Sequence, residues 1–113
     1  MLNLLTINLQ AIHQKHNIFR NYEIYIGKDL FGIWVLTTAN GRIGTTGKLR
    51  SYSFETLESL HKKLQQLLKK RQSAHKRIGT DYKIISYLCV DNFLEKELLE
   101  THLFDSFPIF VPL

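Results

Sequence analysis

Hydrophobic and polar positions alternate along much of the first half of the chain. Between residues 5 and 11 the odd-numbered positions are apolar and the even-numbered positions are polar, which is the period of a strand. Residues 22–26 and 33–38 are rich in aromatic and β-branched side chains, and residues 48–54 alternate again. The pattern therefore predicts a β-sheet in this half of the protein.

Polar and glycine-containing segments separate the predicted strands. Residues 13–17 are polar enough to form a turn, and residues 27–29 end the second strand. Asn40 and Gly41 both tolerate positive φ, so they predict a tight hairpin turn, after which residues 42–45 run back along the third strand.

The hydrophobic period becomes helical from about Thr56, because leucines then recur at spacings of three and four on one face. We expect Ser53 to cap the N-terminus of this helix and Gly79 to end it. The leucines are Leu57, Leu60, Leu64, Leu67 and Leu68. An exposed basic ridge on the opposite half comprises Lys62, Lys63, Lys69, Lys70, Lys76 and Arg77.

The last third of the chain is predicted to add a strand at residues 82–90. Asp91 or Asn92 is then placed to cap a short helix. Residues 104–113 are strongly apolar, and their two prolines favour an extended conformation. Because these side chains would be costly in water, we expect them to cover the domain's own sheet or to be buried against a partner.

Together these elements predict an α+β fold, with an antiparallel sheet of about five strands packed against one long amphipathic helix and a C-terminal extension. A length of 113 residues suits one domain, and 44% hydrophobic residues suit a folded chain. No apolar run approaches the ~20 residues needed to span a bilayer, and the N-terminus does not resemble a signal peptide. We therefore expect a cytoplasmic protein without membrane contact.

Candidate catalytic and metal-binding chemistry is sparse. Cys89 is the single cysteine, which excludes an intramolecular disulfide and a cysteine-based zinc site, and we expect it to be buried. The five histidines show no metal-ligand spacing, and no activating motif surrounds a nucleophile. The glycines match no phosphate-cradling motif. We expect no enzyme activity, cofactor, metal or small-molecule substrate.

The charge is distributed unevenly along the chain. Residues 1–47 carry a net charge of +2, residues 48–77 carry +7, and residues 78–113 carry −4. A basic block of this kind suits a polyanion, because each neutralised phosphate releases condensed counterions. The alternative is that the block is only a solvated helix face.

A glycine- and tryptophan-containing pattern runs through the middle of the chain. It consists of DLFGIWVL at residues 29–36, NGRIGT at residues 40–45, and Gly47. With the tyrosine-containing strand at residues 21–24 and the long helix, it resembles the WGR domain family. The resemblance covers residues 4–82 and leaves residues 83–113 as a C-terminal extension that packs on the domain or on a partner.

The resemblance implies a small module without an active site, whose role is to bind DNA. The family is best known in poly(ADP-ribose) polymerases that sense DNA breaks, where its name-giving tryptophan packs against the sugar at a DNA terminus. Asn40 replaces that tryptophan here, whereas Gly41 and Arg42 remain. An aromatic platform is worth on the order of 1–3 kcal/mol where it stacks. Trp34 corresponds to the family's core tryptophan, so we expect it to be buried.

Arg42 is the central candidate for contact with DNA. Its guanidinium either reaches a phosphate through two hydrogen bonds or pairs with Glu23 or Asp29 as a structural anchor. Lys48 and Arg50 alternate on the next strand and either extend the same phosphate-contacting strip or serve only solubility. If the helical ridge faces away from the hairpin, it forms a second basic surface. The predicted DNA-binding residues are Arg20, Asn40, Gly41, Arg42, Lys48, Arg50 and Tyr82.

A second hypothesis makes the chain a protein-interaction or homodimerisation module. It rests on the apolar residues 104–113 and on the negative charge after residue 77. An acidic segment of this kind can also lie on a basic surface of its own or a neighbouring chain and compete with DNA. DNA and a protein partner are thus the two predicted classes of ligand.

Overall fold

Five antiparallel strands form the sheet of the computed structural model, which describes residues 2–99 and residue 107. Their spatial order is β4-β3-β2-β1-β5, so the last strand returns to pair with the first. The predicted α+β class and antiparallel sheet are confirmed. The strands are β1 (Leu2–His13), β2 (Ile18–Lys28), β3 (Trp34–Arg42), β4 (Lys48–Phe54) and β5 (Lys83–Cys89).

The hairpin between β3 and β4 turns later than predicted. Asn40 and Gly41 lie within β3 and pair with Tyr22 and Asn21 of β2, so the predicted tight turn at these residues is wrong. The turn falls in residues 43–47, which also removes the predicted return strand at residues 42–45. The physical reason is that β2 offers hydrogen-bond partners to this part of β3, which a two-residue turn would leave unused.

Two glycines shape the observed turn. Gly44 and Gly47 have φ values of 89° and 74°, a region that side chains disfavour. The chain also approaches itself closely here, because a Cβ built on Gly41 would lie 2.7 Å from the Cα of Gly47. The turn is closed further by Thr45, whose hydroxyl donates to the carbonyl oxygen of Arg42 at 2.7 Å.

The predicted long helix is two consecutive helices, α1 (Leu57–Gln72) and α2 (Ala74–Ile78). Thr56, rather than the predicted Ser53, is the N-cap, since its hydroxyl accepts a hydrogen bond from the backbone N–H of Ser59. Ser73 separates the helices, and its hydroxyl donates back to the carbonyl oxygen of Lys70, a bond that competes with regular helix geometry. Gly79 ends α2 in the left-handed region, as predicted.

The core lies between α1 and one face of the sheet. Trp34 and Cys89 are both half-buried at its margin rather than fully buried as predicted. The Nζ of Lys28 lies 4.6 Å from the centroid of the Trp34 ring. Most of the large, fully buried side chains come from alternate strand positions and from the leucine face of the helix, and Leu94 and Leu98 join them from the end of the described chain. Those on the strands and on α1 are Leu5, Ile7, Leu9, Tyr22, Ile24, Ile26, Leu36, Leu60, Leu64 and Leu68.

The end of the described chain joins the same body. β5 pairs with β1, and a carboxylate oxygen of Asp91 accepts the backbone N–H of Phe93 at 2.8 Å. The short helix α3 (Asn92–Leu94) follows and continues as a π-helical turn over Glu95–Leu99. Of the apolar residues 104–113, all but one lie outside the described residues, and Phe107 is buried. Within the described part, no helix is long and apolar enough to cross a membrane.

Candidate functional site

Three predicted DNA-binding residues share the helix-facing side of the sheet. Directly opposed residues of antiparallel strands point to the same face. Buried Tyr22 is opposite Asn40, which in turn is opposite Lys48, and buried Thr38 is opposite Arg50. Asn40, Lys48 and Arg50 therefore belong to the face that carries α1, and all three are exposed.

Arg42 lies at the end of β3, directly opposite Arg20 of β2. Its Nη2 donates to the side-chain oxygen of Asn17 at 3.0 Å, and its Nη1 donates to the carbonyl oxygen of the same residue at 3.5 Å. The guanidinium carbon lies 5.0 Å from the centroid of the Phe19 ring. These contacts hold the exposed guanidinium in place and leave further N–H donors available to a ligand.

Pairing of Arg42 with an acidic residue, the predicted alternative, is wrong. One carboxylate oxygen of Glu23 accepts from the amide of Asn21 at 2.7 Å on the sheet. One carboxylate oxygen of Asp29 accepts two backbone N–H groups of its own loop, including that of Ile33 at 2.9 Å. Both carboxylates are thus engaged elsewhere, and the guanidinium takes Asn17 as its partner, with no ion pair to any described acidic residue.

The residues at this end of the sheet line a shallow depression, which we call the hairpin surface. Its polar members are Asn17, Arg20, Asn40, Arg42 and Lys48, and backbone at Gly41 completes it. Among the described residues, no acidic side chain lines it. The structure therefore brings most of the predicted site together on one cationic surface.

Two predicted site residues do not line the hairpin surface: Arg50, which is exposed on β4, and Tyr82, which is buried. Tyr82 is 4% exposed, and its ring packs edge-on to that of Tyr22 with the centroids 6.5 Å apart. Tyr82 directly precedes β5, and the Arg71 guanidinium carbon of α1 lies 5.9 Å from the centroid of its ring. A ring inside the core has little surface to offer a nucleic acid, so we leave Tyr82 out of the proposed interface.

A more enclosed groove runs between α1 and the strands β3 and β4, with a volume of about 320 Å³. We call it the α1 groove. It adjoins the hairpin surface, because Asn40 and Lys48 line both. Its cationic members, two of which belong to the predicted helical ridge, are Lys48, Arg50, Lys63, Lys70 and Arg71.

The basic ridge of the helix is divided between two sides of α1, because some of its lysines line the α1 groove and others line the outer surface. Lys63 leans into the groove, where its Nζ lies 4.4 Å from the centroid of the Tyr52 ring. Lys62 and Lys69 line a separate outer depression, and Lys62 pairs with Glu58 at 3.9 Å on the exposed surface. The prediction that the ridge forms a second basic surface, facing away from the hairpin, therefore holds for Lys62 and Lys69 but not for Lys63 and Lys70.

Arg71 is the site residue that sequence reasoning missed. It is 8% exposed, and its guanidinium carbon lies 3.8 Å from the centroid of the Tyr22 ring. A signal was present, since Arg71 is three and four residues after Leu68 and Leu67 and so falls on the leucine face. An arginine on that face has to be buried or to disrupt the packing.

A family model of the WGR domain matches residues 4–80. The chain belongs to the WGR domain family. WGR domains are in general modules of the nucleic-acid-binding type, and the family is non-catalytic. Comparisons with curated proteins and with solved structures give no match.

In this WGR domain, the floor of the α1 groove is formed by Tyr22 and Thr38. Burial raises the pKa of the Tyr22 phenol above its usual range, although the nearby Arg71 charge and a hydrogen bond with the Thr38 side chain oppose the shift. The phenol therefore stays neutral at physiological pH. The groove presents hydroxyl groups on its floor and cations on its walls, which is chemistry suited to an anion.

Proposed function

We propose that this WGR domain is a non-catalytic DNA-binding module that contacts phosphates at DNA ends, nicks or junctions through its hairpin surface. One observation carries the proposal. Arg20, Arg42 and Lys48 lie around one depression in which the structure describes no acidic side chain. Membership of a family of nucleic-acid-binding modules supports the same ligand class.

Arg42 is the residue best suited to the first phosphate contact. Its guanidinium is exposed, and Asn17 already fixes two of its nitrogens, so less side-chain freedom is lost when a phosphate binds. Arg20 and Lys48 add charge around it. Contacts of this kind position a protein on the sugar-phosphate backbone without reading sequence, which suits recognition of an end or nick.

Titration of labelled blunt, nicked and intact circular duplexes at two salt concentrations tests the proposal. We expect binding that weakens steeply with salt and that favours the two discontinuous substrates. Arg42→Ala should weaken binding on all DNA and reduce the magnitude of the salt slope by about one unit per lost phosphate contact.

Lys69→Ala provides the matched control, because Lys69 is an exposed cation on the outer side of α1. It removes the same charge from the chain without touching the hairpin surface. Equal losses of DNA affinity in the two variants would show that only the net charge of the chain matters. Absence of binding at low salt would exclude the proposed function altogether.

The β5 edge of the sheet favours a second function, contact with a protein partner or with another copy of the chain. Leu88 and Val90 are 67% and 62% exposed, and Phe93, which follows them, is 61% exposed. β5 is also a terminal strand of the sheet. Exposed apolar side chains along a sheet edge are typical of an interaction surface.

A further inference from the structure

Arg71 is a buried cation to which the described residues supply no counter-charge. Among the described residues, no carboxylate lies within 4.0 Å of it, and its Nε is buried without a hydrogen-bond partner. Arginine side chains stay protonated in proteins, so the charge cannot be avoided by losing a proton. Its partners are the ring faces of Tyr22 and Tyr82, at 3.8 and 5.9 Å from the guanidinium carbon.

Ring faces offset only part of the cost of burying a guanidinium. The usual remedy is an acidic side chain, yet none of the described residues that line the α1 groove is acidic. Arg50, Lys63 and Lys70 add further positive charge instead. Within the described part of the chain the site is therefore incomplete in charge, and a bound anion would complete it.

We propose that the α1 groove is a binding site for a phosphate monoester, anchored by Arg71. A guanidinium binds two phosphate oxygens through parallel hydrogen bonds, and the partly desolvated groove strengthens that attraction. The walls contribute Arg50 and Lys70, and the floor contributes the hydroxyls of Tyr22 and Thr38. This site goes beyond the proposed function, because it does not require a DNA backbone to be bound at the hairpin surface.

A monoester suits the groove better than a phosphodiester does. It carries up to two negative charges and has ester substitution on one side only, so it can enter a recess that a backbone phosphate, continued on both sides, reaches less easily. A free phosphorylated small molecule and the terminal phosphate of a nucleic acid strand have this chemistry in common. The experiment separates these two sources.

Thermal unfolding of the full chain provides the first test, in inorganic phosphate and in chloride at the same ionic strength. A ligand that binds only the folded state raises the melting temperature. We expect phosphate to raise it in the natural chain and in Arg42→Ala, but not in Arg71→Met. Without phosphate, Arg71→Met should be as stable as the natural chain or more so, because it replaces an uncompensated buried charge by an apolar side chain.

Fluorescence titration with two labelled single strands identifies the source of the phosphate monoester. One strand carries a phosphate at its 5′ end, and the other carries a free hydroxyl group there. At least about tenfold tighter binding of the phosphorylated strand, lost in Arg71→Met, would assign the site to strand ends. Stabilisation by inorganic phosphate without that preference would assign it to free phosphorylated molecules. If Arg71→Met does not fold, the double variant Lys63→Ala, Lys70→Ala takes its place, since both side chains reach the groove from the surface.

The proposal is overturned if phosphate and chloride stabilise the natural chain equally and the two strands bind alike. It is also overturned if the phosphate effect persists in Arg71→Met. Neither result bears on the hairpin surface, which is tested by Arg42→Ala on intact and nicked duplexes. A failure of the proposed phosphate site in the α1 groove can therefore be distinguished from a failure of the proposed DNA binding at the hairpin surface.

Discussion

Asn40 occupies the position at which the family carries its name-giving tryptophan, and its side chain lies where the hairpin surface meets the α1 groove. An amide at this position can donate to and accept from a sugar or phosphate but offers no face for stacking. Its small size also keeps the groove open toward Tyr22, directly across the β2–β3 pair. With Asn40 here, the position offers a cationic recess rather than an aromatic platform.

Asn40→Trp should restore the platform. We expect tighter binding of short blunt duplexes by about tenfold, because a stacked aromatic contributes on the order of 1–3 kcal/mol. Affinity for a closed circular duplex should change little, so the ratio of the two affinities is the quantity to measure. Asn40→Leu adds apolar bulk without a stacking face, and an equal gain from it would contradict the stacking explanation.

At the scale of elements, the β3–β4 hairpin decides where the cations lie. Because β3 continues to Arg42 before it turns, Asn40 and Lys48 become opposed residues on one face. A turn at Asn40 would have placed Lys48 out of this register. The turn depends on Gly47, where a Cβ would lie 2.8 Å from the carbonyl oxygen of Asn40.

Gly47→Ala should lower the free energy of unfolding by about 1–3 kcal/mol, since it combines a positive φ of 74° with a steric clash. Gly44→Ala is the matched control. It has a positive φ of 89° but nothing within 4 Å of its new Cβ, so about 1 kcal/mol is expected. Urea denaturation measures both, and a Gly44 variant as unstable as the Gly47 variant would show that the close approach does not matter.

At the scale of the whole molecule, the α1 groove and the apolar β5 surface lie toward opposite edges of the sheet, and the hairpin surface adjoins the α1 groove. The cationic groove involves β4, at one edge, whereas Leu88 and Val90 belong to the region of β5, at the other. This separation means that a protein contact at β5 does not cover the hairpin surface. If both proposals hold, we expect DNA and a protein partner to bind together rather than compete.

The double variant Leu88→Lys, Phe93→Lys tests the β5 edge while the rest of the chain stays intact. Both side chains are exposed, so folding should be retained. If two copies associate through this edge, light scattering should show a dimer for the natural chain and a monomer for the variant, with unchanged affinity for nicked DNA. Monomers in both cases would reject self-association, and reduced DNA affinity would contradict the separation of the surfaces.

Local pattern and family resemblance predicted much of this structure, and they did so where the deciding interactions are local. Alternation along residues 5–11 and the spacing of Leu60, Leu64 and Leu68 are direct consequences of strand and helix geometry. The exposed cations Arg42, Lys48 and Arg50 were likewise predicted as candidates, from their residue types and from the alternation of Lys48 and Arg50 along one strand. That these side chains lie close together, however, depended on the register between β2, β3 and β4.

The amino-acid sequence by itself determined the α+β class, the leucine-faced helix and the basic character of residues 48–77. Tertiary structure alone decided the turn of the hairpin, because β2 competes for the backbone of Asn40 and Gly41. It also decided that Tyr82 is buried, and that Arg71, which the sequence places on the leucine face, faces a groove together with Arg50 and Lys70. Each of these outcomes depends on residues far apart in the chain, whose distances are set only when the helix packs against the sheet.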